Sequence, residues 1–73
     1  MFIQANGKNV KNENVTFIAR TPKHLLEVME KENLESCLIE PNDVDYPVIE
    51  FFRVTKQDVR EWIETGYLKG EKK

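Results

Sequence analysis

The sequence predicts a small two-layer α+β domain, a mostly antiparallel β-sheet with two helices in the order β-β-α-β-β-α. Three observations predict it. Two segments open on a hydroxyl cap and then repeat apolar residues at helical spacing. Several others are short, alternating and rich in β-branched or aromatic residues, as strands are. The chain has 73 residues, enough for one domain and a single core.

Phe2 to Ala5 reads as a short strand. Asn6-Gly7 then reads as a hairpin turn, since that dipeptide accepts positive φ at both central positions. A return strand is expected around Lys8 to Val10, with Lys11 to Asn14 as a polar loop or bulge. Val15 to Ala19 alternates, with Val15, Phe17 and Ala19 on one face and Thr16 and Ile18 on the other. Thr21-Pro22 announces a helix, a hydroxyl N-cap before a proline whose missing N–H is harmless in the first turn. Its apolar stripe is Leu25, Val28 and Met29, widened by Leu26, and it should end near Asn33. Glu27 and Lys31 form an i,i+4 pair on its wet side.

Ser36 to Glu40 reads as a strand and Pro41 to Pro47 as a loop. Val48 to Val54 is the clearest strand, with Val48, Phe52 and Val54 on one face and Ile49 and Phe51 on the other. Apolar residues on both faces place it inside the sheet or under a partner. The last helix has Thr55 as N-cap and Asp58 completing a capping box. Val54 and Val59 take the staple positions, and Val59, Trp62 and Ile63 make the core face. Gly66 suits a left-handed cap, with Tyr67 against Trp62 as in a Schellman ending. Residues 1–68 are thus expected to form one domain, and 69–73 a flexible tail.

Composition narrows the function. The net charge is −2, whereas a dedicated nucleic-acid binder carries a basic excess or stripe that neutralises phosphates. Cys37 is the single cysteine, so an intrachain disulfide is excluded, and its place in Cys37-Leu38-Ile39 suits a small buried apolar residue. The opening residues lack the basic start and long apolar stretch of a signal peptide. No run approaches the ~20 apolar residues that cross a bilayer. The chain is expected to be cytoplasmic, and the Asn14-Val15-Thr16 sequon carries no weight there.

Glu40, Asp43, Asp45 and Glu50 bring carboxylates to one hairpin, the donor type that hard cations prefer. The segment lacks the Asp-x-Asp-x-Asp-Gly pattern of a calcium loop, and an acidic, soluble turn is the expectation. His24, the only histidine, lies in a first helical turn, where the helix dipole disfavours added positive charge. Gly7, Gly66 and Gly70 are isolated, which excludes a glycine-rich phosphate loop. No cofactor, metal, small-molecule substrate or catalytic role is expected.

The stretch Phe51-Phe52-Arg53-Val54-Thr55-Lys56-Gln57-Asp58-Val59-Arg60-Glu61-Trp62-Ile63 resembles the wing strand and following helix of excisionase and MerR-type winged helix-turn-helix domains. The resemblance implies a DNA-binding accessory in which Arg53 and Lys56 lie near phosphates. Arg20, Lys23 and Arg60 would join them if a continuous basic face forms. That family places its helix-turn-helix upstream, where this chain offers one acidic helix, Pro22 to Asn33.

The leading expectation is a small non-catalytic protein-interaction or regulatory module of bacterial or phage type. It would bind a protein partner or a second copy of itself, as a homodimer, through Tyr46, Ile49, Phe51 and Phe52. If both helices lie on one side, the sheet keeps aromatic area in water that a partner would cover. If one helix covers each face, those residues belong to a three-layer core.

Overall fold

Alternation along the first strand sets the sheet in the computed structural model, which describes residues 2–42, 51–68 and 71–72. In β1 (Phe2–Lys8) Ile3, Ala5 and Gly7 turn inward and are buried, while Phe2, Gln4, Asn6 and Lys8 point to the other side. β2 (Asn14–Ala19) and β3 (Ser36–Asn42) flank β1, both antiparallel to it. β4 (Phe52–Thr55) pairs antiparallel with β3, and β5 (Glu71–Lys72) with β4, which gives the order β2-β1-β3-β4-β5. Where a flexible tail is expected over 69–73, Glu71–Lys72 lies along β4 as this short fifth strand.

The two helices, α1 (Pro22–Lys31) and α2 (Lys56–Thr65), lie on the same side of the sheet. α1 rests on β1 and β2, α2 rests on β4, and the helices contact one another. Leu25 and Met29 from α1 and Val59 and Trp62 from α2 meet Ile3, Ala5, Ala19, Cys37, Ile39 and Val54 in one core, closed by Leu34. The fold is the two-layer α+β arrangement, and the three-layer alternative is excluded. Among the described residues, one face of the sheet therefore carries no helix.

The caps follow from the side chains named by the sequence. Thr21 Oγ1 accepts from the His24 backbone N–H at 3.1 Å. At the end of α1, Asn33 takes φ 58, the left-handed region that asparagine tolerates better than most residues. Leu34 N–H then donates to the Met29 carbonyl at 2.8 Å, and Asn33 N–H to the Glu30 carbonyl at 3.4 Å. This is a Schellman ending, with Leu34 and Met29 buried beside each other in the core. In α2 the capping box is complete: Asp58 N–H donates to Thr55 Oγ1 at 3.2 Å, and Thr55 N–H to Asp58 Oδ2 at 2.9 Å. Val54 and Val59 are both buried beneath it.

Four local expectations need correction. Asn6-Gly7 is not a turn; it lies inside β1, and Gly7 does not take a positive φ. Glycine eases a close approach there, because a Cβ would sit 3.0 Å from both Cys37 Cβ and the Ser36 carbonyl, so those neighbours would have to give way. The reversal comes later, where Asn9 Oδ1 accepts from the Lys11 and Glu13 N–H groups at 2.9 and 3.0 Å and Asn12 takes φ 63. Gly66 has φ 75 and donates to the Trp62 carbonyl at 2.8 Å, the simpler left-handed cap. Tyr67 is 68% exposed, with its N–H bonded to Thr65 Oγ1, so it does not complete a Schellman contact. Ile63, expected in the core, is 43% exposed, because Val59 and Trp62 alone fill the contact made by α2. The two-faced burial expected of Val48 to Val54 is not seen in its described part: Val54 is buried, whereas Phe51 and Arg53 are exposed on the helix-free side.

Two substitutions probe this core. Trp62→Ala is expected to lower stability by about 3–5 kcal/mol, enough to unfold a domain of this size, as read by chemical denaturation. Gly7→Ala should remove about 1–3 kcal/mol, since the added methyl group would press on the Ser36 carbonyl and Cys37 at 3.0 Å and force the β1–β3 approach to widen. A neutral Gly7→Ala would mean that β3 does not approach β1 as closely as described.

Candidate functional site

The helix-free face is built by the even-numbered side of β1 and its neighbours. Register sets Gln4 between Ile18 and Glu40, and Asn6 between Thr16 and Leu38, with Leu38 opposite Arg53. Phe51 sits just before β4, where Gln4, Asn6, Thr16, Leu38, Glu40 and Phe51 line a shallow depression of about 370 Å³. A second depression, of about 340 Å³, lies toward the hairpin end among Asn6, Lys8, Asn14, Glu35, Ser36, Leu38 and Arg53. Apolar area on this face comes from Phe51 (47% exposed), Phe2 (44%) and Ile18 (59%), with Leu38 half-buried among them. The Arg20 guanidinium lies over the Phe2 ring, 5.4 Å from its centroid.

The residues singled out in the sequence distribute unevenly. Phe51 is on the bare face, and Phe52 turns the opposite way to pack, half-buried, against the core. Tyr46 and Ile49 lie outside the described residues, as do Asp43, Asp45 and Glu50. Glu40, the remaining carboxylate of that group, is half-buried on the bare face. Gln4, Asn6, Lys8 and Thr16 belong to this face too, and a turn at Asn6-Gly7 would have taken Asn6 and Lys8 out of it.

The five basic residues do not share one surface. Arg60 Nη2 lies 3.6 Å from Glu30 Oε1, and Lys56 Nζ lies 4.0 Å from Glu35 Oε1. Those contacts tie α2 to α1 and to the segment before β3, within the helix layer. Arg53 points out of the bare face instead, since its neighbour Val54 points into the core. Arg20 covers Phe2 near the β2 edge, and Lys23 lies in the first turn of α1. β4 leads directly into the capped α2. Among the described residues, however, α1 is the one helix upstream, and β3 intervenes before β4.

Chemistry-bearing side chains are sparse. Cys37 is buried, and burial pushes its thiol up to about 11 from an ordinary 9.0, against a smaller lowering by Arg53. It is a neutral thiol near pH 7, packed among apolar residues. His24 is exposed in the first turn of α1. Among the described residues, no three His, Cys, Asp or Glu side chains converge as a metal site. No helix among them is long and apolar enough to cross a membrane. Comparison with protein-family models, with curated proteins and with solved structures finds no match for this chain.

Cys37 gives a pH prediction with a definite sign. Its folded value stands above its unfolded one, so the folded chain holds a proton that the unfolded chain releases between about pH 9 and 11. Stability should be unaffected by this group below pH 9 and fall through that window. Comparing denaturation of wild type with Cys37→Ala across the window isolates the effect. Parallel curves for the two proteins would mean that the thiol is not buried.

Proposed function

We propose that this chain is a small, non-catalytic protein-interaction module with a regulatory role, which docks a partner on the helix-free face of its sheet around Phe51. One observation carries the reading. Both helices occupy the same side, so Phe51, Phe2, Ile18 and Leu38 keep apolar area at the surface, framed by Gln4, Asn6, Thr16 and Glu40. An apolar centre with a polar rim suits a protein partner better than a small substrate, and each large side chain fully covered contributes roughly 1.5–3 kcal/mol.

Several features favour this reading over its rivals. Lys56 and Arg60 are engaged by Glu35 and Glu30 in the helix layer, while Arg53 faces the other way. A continuous basic surface for DNA is not assembled from them, and the net charge of −2 gives no general attraction to phosphate. Catalysis would need a nucleophile or an acid–base pair in a cleft. The face offers shallow depressions and a neutral thiol buried beneath it. A cytoplasmic setting fits a chain whose one cysteine stays unpaired.

Phe51→Lys tests the proposal. The variant should fold as the wild type does, by circular dichroism, because Phe51 is outside the core. It should lose a saturable partner that immobilised wild type recovers from host extract. Retention of that partner by a folded Phe51→Lys protein would contradict the reading. So would loss of the fold itself, which would place Phe51 in the core.

A further inference from the structure

β2 forms one edge of the sheet, and its outer side leaves backbone groups open. It pairs with β1 alone, and among the described residues no turn, loop or cap hydrogen bond reaches it. In an antiparallel ladder alternate residues turn both N–H and C=O away from their partner, so this edge offers a row of donors and acceptors to another strand. Sheet proteins ordinarily blunt such an edge with shortness, charge, proline or a bulge. The opposite edge is blunted in that way: β5 is two residues long, and Glu71 and Lys72 are both charged. β2 has none of these devices. Its six residues, Asn-Val-Thr-Phe-Ile-Ala, include no charge and no proline, and its register with β1 runs unbroken from Asn14 to Ala19. Both of its faces also keep apolar area. Ile18 is exposed on the bare face, and Val15 and Phe17 are only half-buried on the helix side, where Ile3 and Ala5 of the next strand are fully buried.

We propose that this edge is completed by β2 of a second copy of the chain, antiparallel about a two-fold axis, so that two sheets become one. The strand itself argues for that occupant. A two-fold contact sets the same segment against itself, and inward residues must oppose inward residues. The alignment centred on Phe17 meets both conditions. Phe17 faces its own counterpart and Val15 faces Ala19 on the helix side, while Thr16 faces Ile18 on the bare face. Aromatic and β-branched cross-strand pairs of this kind stabilise antiparallel sheets. Asn14 then opposes Arg20, so no like charges meet across the axis, and a net charge of −2 gives little repulsion between copies. The inference stands apart from the role given to Phe51, whose face stays free in such a dimer.

Sedimentation equilibrium from micromolar to millimolar concentration tests it on three proteins. Wild type should approach the dimer mass. The double variant Thr16→Lys/Ile18→Lys, which sets like charges across the axis from exposed positions, should stay at the monomer mass with an unchanged circular dichroism spectrum. Phe51→Lys should still dimerise. A wild type that stays monomeric overturns the proposal, as does a lysine variant that still dimerises or a Phe51→Lys protein that becomes monomeric. Amide exchange on the wild type gives a second reading should the lysine variant fail to fold. Alternate β2 amides should exchange more slowly as concentration rises, and concentration-independent exchange would equally overturn it.

Discussion

Both helices press into one core from one side of the sheet, and the rest of the molecule depends on that. Leu25 and Met29 of α1 meet Val59 and Trp62 of α2 over Ile3, Ile39 and Val54. Small residues at Ala5, Ala19 and Cys37 are buried in the same core, and Gly7 lets β1 and β3 approach closely. At Gly7 a side chain would press on Cys37 and the Ser36 carbonyl at 3.0 Å. A short chain has little surface to spare, so with both helices on one side, no helix among the described residues covers the other. The exposed positions of Phe2, Ile18 and Phe51 follow from the same choice.

Much of the architecture was legible because capping is local chemistry. Thr21, Thr55, Asp58 and Gly66 can each be identified from their immediate neighbours, and each does in the structure what its side chain or missing side chain allows. Turn chemistry misled at Asn6-Gly7 because a pattern spanning the whole strand competes with it there. Ile3, Ala5 and Gly7 recur with period two, and the demand for space against Cys37 comes from a strand about thirty residues away. The Asn9–Asn12 region held an equally good turn signal, an asparagine able to accept from two following N–H groups.

The candidate face was only partly legible for a related reason. Apolar composition on both sides of Val48 to Val54 suggests burial on both sides, yet composition says nothing about how many layers the chain can build. Phe52 and Phe51 are chemically equal neighbours, and the side on which the helices settle separates them into a core residue and a surface one. The charges show the same dependence on distant geometry. Glu30 and Glu35 lie far in sequence from Arg60 and Lys56, and their proximity appears only once α1 and α2 are side by side. Pairs so exposed contribute about 0–1 kcal/mol each, so they shape the surface potential more than they hold the fold.

Paramagnetic relaxation of side-chain signals by a soluble, uncharged gadolinium chelate tests the one-sided arrangement most directly. The measurement should be made at low concentration, where the chain is unassociated. The account predicts strong broadening at Phe2, Ile18 and Phe51, weaker broadening at Phe52, and protection at Ile39, Val54 and Trp62. Equal protection of Phe51 and Phe52 would contradict it, because it would require a layer on each face of the sheet.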